Sequence, residues 1–505
     1  MSEESTKNQA SVRIENDAQD LTQYGYQQQL KRALGPVGSF AIAFSMISIT
    51  TAIFYLLPSL FADSGGIGIW LWIPAGIGVF MIVLVYSHLS ARMPITGFAY
   101  QWTSRLTNVH YGWFTGWSCL CAFFAGTASI AAALASIFAP DVWANPTHGD
   151  VVLFAVVALL VGVVINTLSI RLVAWVNNVG AAMEVVGAVF AAILLFFGSL
   201  FFFHHNIGGH VLLQRGAVLG GVPLWYGLVL ASLLPVFTLL GWEGAADLSE
   251  ETLDPRRVTP TAMIRSNYLS SAFALFIVLA FVIAIPHGVK AMLAQPKNPL
   301  LYIFGSHFGQ VPEDLLSVAV FAAVFSCMLA NMVVATRLCY ALARDNMLPA
   351  SKILARVPRR TQTPVASILL VGAIAIGVNL LSQGIAANVV SIVNLAYYSI
   401  YLLVLAGVFV AVRNHRVPDA PEGYFSLGRW LKPVMTVALI WVVIVMVVGA
   451  TPQAGHVGFE YLLGAEAVGV VWYLLVLRSR LTSKRAGVGR HVLADESEFM
   501  TRPFH

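Results

Sequence analysis

Charged residues are scarce in this sequence: they make up 10% of its 505 residues, against 58% hydrophobic residues. A soluble globular domain carries about 25% charged residues, so that class is excluded. Apolar runs of about 20 residues, the length of a membrane-spanning helix, occur about twelve times. The runs lie near 37–62, 68–91, 112–139, 150–170, 175–203, 222–246, 267–286, 314–342, 365–383, 386–412, 433–450 and 458–478. Because they lack the alternation of barrel strands, we predict an all-α polytopic membrane protein with about 12 transmembrane helices.

Metal-binding patterns are also missing. The four cysteines all fall inside predicted spans and form neither a CxxC motif nor a zinc-ligand spacing. His204, His205 and His210 cluster in one loop, where we favour surface residues over metal ligands. We therefore expect no metal and no cofactor. No nucleophile paired with a base is visible in the spans, so we expect a protein that is not an enzyme.

Basic residues are nearly absent from one side of the predicted membrane. The loops expected on that side hold Arg215, Lys290 and Lys297, three of the 29 lysines and arginines. The excess of positive charge on the other side predicts that both termini are cytoplasmic, in a plasma or inner membrane. The first 36 residues lack the apolar core of a signal peptide, so we expect the first span to start insertion. The net charge of +5 follows from this asymmetry and gives no indication of nucleic acid.

The order of the spans predicts an internal repeat. Five spans, a loop and five more spans suggest a five-plus-five inverted repeat with discontinuous helices 1 and 6, followed by two accessory helices. The expected divisions are an N-terminal segment at 1–36, a first repeat at 37–203, a second repeat at 222–412, helices 11 and 12 at 433–480, and a tail at 481–505.

Glycine is absent from the first span between Gly38 and Gly65. Its middle carries small and hydroxylated residues instead, and a break there frees backbone groups that a substrate can bind. Packing between unbroken helices is the alternative; we favour a substrate site. The predicted binding residues are Ser48, Ile49, Thr50, Thr51 and Ala52.

The sixth span holds the second predicted break. Gly241 and Gly244 allow unwinding, and Trp242 offers an aromatic face for an ammonium group. Glu243, between them, either contacts substrate or caps a half-helix. We place Gly241, Trp242 and Glu243 in the predicted substrate site.

Glu184 is a carboxylic acid inside the fifth span, where an ionised carboxylate is costly without a partner. It is therefore our candidate for proton coupling. A structural hydrogen bond to another helix is the alternative, and we weigh the two equally.

Four motifs resemble the amino acid/polyamine/organocation transporter superfamily. They are the LSARMPITGFAYQW motif from Leu89, GWEGAADLSEETLDPRR from Gly241, ATRLCYALARDNMLP from Ala335 and GYQQQLKR from Gly25. The last is typical of the amino acid/choline branch. Many members resemble the region of Glu184 but carry a lysine there, at a position linked to the sodium site of related carriers.

The resemblance implies a secondary active transporter that moves a small amino acid or amine, such as a γ-aminobutyrate-like substrate, by alternating access. Proton coupling is favoured, and sodium is disfavoured because Ser326 is followed by Cys327 rather than by a second hydroxyl. The runner-up is a choline-like or ethanolamine-like cation carrier, or an exchanger or facilitator without ion coupling. A channel ranks lower, as does a sensor, for which no soluble domain is visible.

Overall fold

The computed structural model describes residues 21–203, 208–216, 218, 223–295, 297–358, 362–381, 386–419 and 423–489. Within these ranges the regular structure is helical, and one isolated backbone bridge pairs Leu34 with Thr252. The prediction of an all-α protein is confirmed.

The first half of the chain forms helices α1 to α8. Their bounds are α1 Pro36–Ile47, α2 Ile49–Ser64, α3 Trp72–Ser90, α4 Phe98–Leu106, α5 Val109–Val142, α6 His148–Leu168, α7 Ile170–Met183 and α8 Phe190–Phe201. A π-helical turn, Glu184–Val189, joins α7 to α8.

The second half continues with α9 to α20. Their bounds are α9 Leu224–Thr238, α10 Gly244–Asp247, α11 Pro255–Ile283, α12 Val289–Leu293, α13 Pro299–Phe308, α14 Gln310–Arg344, α15 Ser351–Leu354, α16 Val365–Leu381, α17 Ala386–Arg413, α18 Leu431–Gly449, α19 Pro452–Trp472 and α20 Arg478–Thr482. Short 3-10 turns occur at Gly66–Leu71, Gly208–Leu213, Ser249–Glu251 and Gly428–Trp430, and a second π-helical turn at Tyr473–Leu477.

Ten helical segments among the described residues are long and apolar enough to cross a membrane. Two shorter apolar helices, α9 and α16, bring the set to the number predicted. The bundle also exposes large apolar side chains, for example Val164, Phe201 and Val447. Exposure of such an apolar surface is unfavourable in water but favourable in the hydrocarbon of a bilayer. The chain is a multi-pass membrane protein.

The first predicted span, called helix 1, consists of α1 and α2 and is broken between them at Ser48. Ser48 has a φ of 36° and a ψ of 80°. This left-handed conformation is uncommon for a residue other than glycine. The Ser48 side chain caps the second half-helix by accepting a hydrogen bond from the Thr51 N–H at 3.3 Å. A serine can therefore make this break without glycine, because its hydroxyl satisfies one of the freed backbone donors.

The sixth predicted span, called helix 6, consists of α9 and α10. It is broken between Thr238, where α9 ends, and Gly244, where α10 begins. Gly241 lies in this gap with a φ of +104°, a conformation that side chains rarely adopt. A Cβ atom built on Gly241 would lie 2.8 Å from the carbonyl oxygen of Met46, at the end of α1. The two breaks therefore meet in the middle of the bundle. The long helices α5 and α14 pack beside them.

Candidate functional site

A central cavity lies where the two breaks meet. It is small, about 30 Å³, room for water molecules but not for an amino acid until its walls move. Both half-helices of helix 1 and the break of helix 6 contribute to it, and α5, α14 and α17 close the other sides. Its lining residues are Met46, Ile47, Thr51, Gly126, Ile130, Phe237, Leu240, Gly241, Cys327, Asn331, Val393 and Tyr397.

Glu184 reaches the break of helix 1 from the start of the π-helical turn. Its side chain is buried, with 1% of its surface exposed. The Oε1 atom accepts hydrogen bonds from the Thr50 backbone N–H at 2.8 Å and from the Ser48 hydroxyl at 3.3 Å. Because the first N–H groups of a helix carry partial positive charge, a carboxylate there is well placed to neutralise the N-terminal end of α2.

Of the five residues predicted from helix 1, some line the cavity or bind Glu184, and the others pack in the hydrophobic core. Thr51 lines the cavity, and its hydroxyl lies 2.7 Å from that of Ser48. Thr50 presents its backbone N–H to Glu184. Ile49 and Ala52 are buried among apolar side chains of the core. Helix 1 therefore offers the site mainly its freed backbone, one hydroxyl and the end of α1.

Of the three residues predicted from helix 6, one lines the cavity and two pack beside it. Gly241 lines the cavity, whereas Trp242 stacks on the ring of Tyr401 at a centroid distance of 5.5 Å and meets Tyr86 edge-on at 5.0 Å. Glu243 Oε2 accepts a hydrogen bond from the Tyr401 hydroxyl at 3.1 Å. Trp242 and Glu243 thus belong to a buried aromatic cluster beside the cavity.

The polar wall of the cavity was not found from the sequence. Asn331 on α14 accepts a hydrogen bond from the Thr127 hydroxyl at 2.9 Å and donates one to the Tyr397 hydroxyl at 3.2 Å. The available signal was an asparagine inside an apolar span, which is costly without partners. Apart from Thr51 and Cys327, the other lining residues are apolar, so the site suits a substrate with both polar and apolar parts.

The sequence contains two candidate sources of cation ligands, the hydroxyl of Ser326 and the histidines near 204–210. Ser326 donates its hydroxyl hydrogen bond to the Ala323 carbonyl at 2.9 Å, within its own helix. Among the described residues, no group of three or more histidine, cysteine, aspartate or glutamate side chains is arranged to hold a metal ion. His204 and His205 lie outside the described residues, so the hypothesis of a histidine cluster stays untested.

One end of the bundle is closed by buried ion pairs. Arg337 and Glu251 form a two-bond pair with distances of 3.0 and 2.9 Å, and Arg344 and Glu250 form another at 2.9 and 3.1 Å. All four side chains are at most 1% exposed. Charges this deeply buried are stable only when paired, so any movement that separates them is costly. We use the name basic end for this end of the bundle, which comprises the two ion pairs and residues 21–34 and 249–252.

The segment 21–34 lies across the basic end. The Tyr26 hydroxyl donates to Asp345 at 2.8 Å, and the guanidinium of Arg344 lies 3.8 Å from the centre of the Tyr26 ring. The backbone N–H groups of Ala33 and Leu34 both donate to the Glu251 carbonyl, at 3.0 and 2.9 Å. The segment is therefore attached to the residues that close this end.

Comparison with known proteins gives consistent results. A family model described as amino acid permease matches residues 34–473, from just before α1 to just past α19. The chain is 26% identical to amino-acid permease BAT1 of Arabidopsis thaliana, over 88% of this chain and 90% of that protein. It is 26% identical to the amino-acid permease BAT1 homolog of Oryza sativa subsp. japonica, over 92% and 93%. Amino-acid permease 2 of Neurospora crassa is 22% identical, over 83% and 79%.

Proposed function

Because the chain belongs to the amino acid permease family, we propose that it moves a small amino acid or amine, such as a γ-aminobutyrate-like molecule, across the cell membrane by alternating access with proton coupling. The observation that carries this proposal is the hydrogen bond from the Thr50 N–H to the Glu184 carboxylate at the break of helix 1.

The ends of the broken helices supply the recognition. The end of α1 carries partial negative charge and suits an ammonium group, whereas the start of α2 carries partial positive charge and suits a carboxylate. Met46 and Thr51, from these two ends, both line the cavity. A small amino acid therefore has a place for each of its charged groups.

Glu184 links this recognition to a proton. Ionised, it occupies a donor at the start of α2, where it competes with a substrate carboxylate. Two carboxylates close together in a site of low dielectric repel each other, so one of them favours the protonated form. Protonation of Glu184 therefore makes the start of α2 available to a zwitterion. Proton and zwitterionic substrate bind together, and this is the basis of symport.

Alternating access requires each end of the bundle to open in turn. We propose that the basic end faces the cytoplasm, in accord with the distribution of lysine and arginine. Opening it means separating the Arg337–Glu251 and Arg344–Glu250 pairs and displacing segment 21–34. The inverted repeat supplies the symmetry for this exchange of states.

An organic cation carrier is the second candidate, and the aromatic cluster favours it. Trp242 packs against Tyr86 and Tyr401, and the Tyr401 hydroxyl donates a hydrogen bond to the carboxylate of Glu243. Rings and a carboxylate together bind quaternary ammonium groups. A cation needs no carboxylate site, so Glu184 would then stay ionised, and transport would not require a proton.

The test is uptake by the purified chain in proteoliposomes. The substrates are γ-aminobutyrate, neutral and basic amino acids, choline and ethanolamine, each under separate proton and sodium gradients. Saturable uptake of a zwitterion driven by the proton gradient supports the proposal. Uptake of only choline or ethanolamine supports the cation carrier, and a sodium requirement contradicts the assignment of the coupling ion.

A further inference from the structure

We propose that a second cavity, between α3, α9, α17 and α18, binds a small apolar molecule with one hydroxyl group, of the phenol class, that reaches it from the bilayer. This site is separate from the central cavity, and its existence does not depend on the transport function proposed above.

The second cavity is the larger of the two, with a volume of about 240 Å³. An apolar cavity of about 150 Å³ in another protein is large enough for benzene, so there is room here for a bicyclic molecule. Pro74 and Ile444 line it and are also exposed on the outer surface of the bundle. That surface faces lipid, so a ligand dissolved in the membrane can enter sideways.

The lining selects the chemistry of the ligand. It is almost entirely hydrocarbon, from residues such as Leu228, Val236 and Val448, with the side chain of Trp441 on one wall. Among the described lining residues, Ser232 and Asn394 are polar, and the Ser232 hydroxyl already donates to the Val229 carbonyl at 2.7 Å. Asn394 has an atom left to bind a ligand. Its Nδ2 atom donates to the Leu233 carbonyl at 3.2 Å, while its buried Oδ1 atom accepts no hydrogen bond from the described protein.

A buried acceptor without a donor is unfavourable, so a ligand that donates one hydrogen bond gains affinity there. A charged ligand is disfavoured because none of the described residues that line the cavity is charged. An apolar molecule with a single O–H group meets both conditions. An aromatic one also gains from contact with the Trp441 ring.

The second cavity and the central cavity share two helices, α9 and α17, as walls. On α9, Val236 lines the second cavity and Phe237, next to it, lines the central cavity. On α17, Asn394 and Val393 are related in the same way. A ligand in the second cavity therefore packs against the helix that leads into the break of helix 6. It restricts movement of α9 without touching the substrate, and we expect non-competitive inhibition of uptake.

The test uses the full chain in lipid nanodiscs and two probes, 2-naphthol and 2-methoxynaphthalene, with empty nanodiscs of the same lipid as the blank. Equilibrium dialysis with fluorescence detection measures binding without any need for transport. We expect saturable binding of 2-naphthol at one site. We expect 2-methoxynaphthalene, which has no hydrogen to donate, to bind about fivefold more weakly, the effect of one lost hydrogen bond.

Two neighbouring residues on α18 provide matched variants. Val448 lines the cavity, whereas Val447 is 63% exposed on the outer surface. Val448→Phe fills the cavity and should weaken 2-naphthol binding by about tenfold or more, because a filled space leaves no room for the probe. Val447→Phe adds the same ring outside and should bind like the unmodified chain.

A second filling variant, Ser232→Phe on α9, protects the test against a Val448→Phe protein that fails to fold. Loss of binding in either folded filling variant, with binding kept in Val447→Phe, supports the site. Equal binding by the filling variants and Val447→Phe would show partitioning into lipid and would overturn the proposal. So would the absence of saturable binding beyond that of empty nanodiscs.

Discussion

The carboxylate of Glu184 accepts a hydrogen bond from the backbone N–H of Thr50, 134 residues earlier in the chain, at 2.8 Å. This contact joins the π-helical turn after α7 to the first turn of α2. It places a group that can gain and lose a proton at the end of a half-helix whose charge it neutralises. The break of helix 1 and the candidate proton site are therefore one structure.

Gly241 should be intolerant of any side chain. Gly241→Ala places a methyl group 2.8 Å from the Met46 carbonyl oxygen and keeps a φ of +104°, so both contact and conformation are unfavourable. We expect uptake to fall by about tenfold or more, since strain of about 1–3 kcal/mol is added where the breaks meet. Uptake at matched protein levels is the measurement.

Gly464→Ala is the control for this prediction. Gly464 lies on α19, and a Cβ atom there meets no atom within 4 Å. Its uptake should match that of the unmodified chain. If both variants lost activity equally, the close approach of the two breaks would not be the cause.

The buried pair of Glu250 and Arg344 should be essential as a pair. Glu250→Gln leaves the Arg344 guanidinium buried without its anion, which is unfavourable by about 3–5 kcal/mol. We expect a large fall in the thermal stability of the purified protein, measured by its unfolding transition in detergent. The double variant Glu250→Gln with Arg344→Gln should recover part of the loss, because no unpaired charge remains.

The exposed pair of Asp141 and Lys297 gives the comparison. Its atoms are 3.0 Å apart, but the lysine side chain is 50% exposed. Such pairs contribute about 0–1 kcal/mol, so Asp141→Asn should barely change stability. Equal losses in Asp141→Asn and Glu250→Gln would contradict the role given to burial.

The sequence was sufficient for the class and most of the helices. The shortage of charge and the length of the apolar runs predicted an all-α polytopic protein, and the structure confirms this because spanning helices depend on local composition alone. The run at 222–246 also marked helix 6, although α9 ends at Thr238 and the break follows. Gly241 and Gly244 predicted that break, but not that α9 ends at Thr238, because the last residue of a helix depends on backbone angles that composition does not give.

The arrangement of the site depended on contacts between distant residues. Ser48, Thr51 and Glu184 were predicted as members, but the hydrogen bonds that join Glu184 to Ser48 and Thr50 could not be predicted from spacing. The rotation of helix 6 after its break directs Trp242 towards Tyr401 and not towards the cavity. Asn331 and Tyr397 come from two other helices, so no local motif marks them as neighbours.

The attachment of the N-terminal segment should strengthen in mild acid. Asp345 follows the last residue of α14, and burial raises the pKa of its carboxyl to about 6, although the positive charge of Arg344 lowers it. Below that pH the carboxyl takes up a proton and loses its charge. The hydrogen bonds from Tyr26 and Tyr100 to the carboxylate offset only part of the cost of burying its charge. Release of segment 21–34 would expose Asp345 and return its pKa towards the usual 3.8, so proton uptake favours the attached state.

Hydrogen exchange of segment 21–34 tests this pH dependence. After correction for the intrinsic effect of pH, the amides of Ala33 and Leu34 should be more protected at pH 5 than at pH 7. In Asp345→Asn, which cannot ionise, the difference should vanish. Equal protection at both pH values in the unmodified chain, or a difference that persists in Asp345→Asn, would show that Asp345 does not control the attachment.

Glu184→Gln tests the central claim most directly. The amide cannot exchange a proton within the range of the assay, so uptake driven by a pH gradient should be abolished while exchange of internal for external substrate continues. Glu466→Gln, on α19 and away from the helix 1 break, is the control and should keep driven uptake. The measurement is the ratio of gradient-driven uptake to exchange in proteoliposomes. A ratio close to zero for Glu184→Gln is expected, and a ratio equal to that of the unmodified chain would contradict the account.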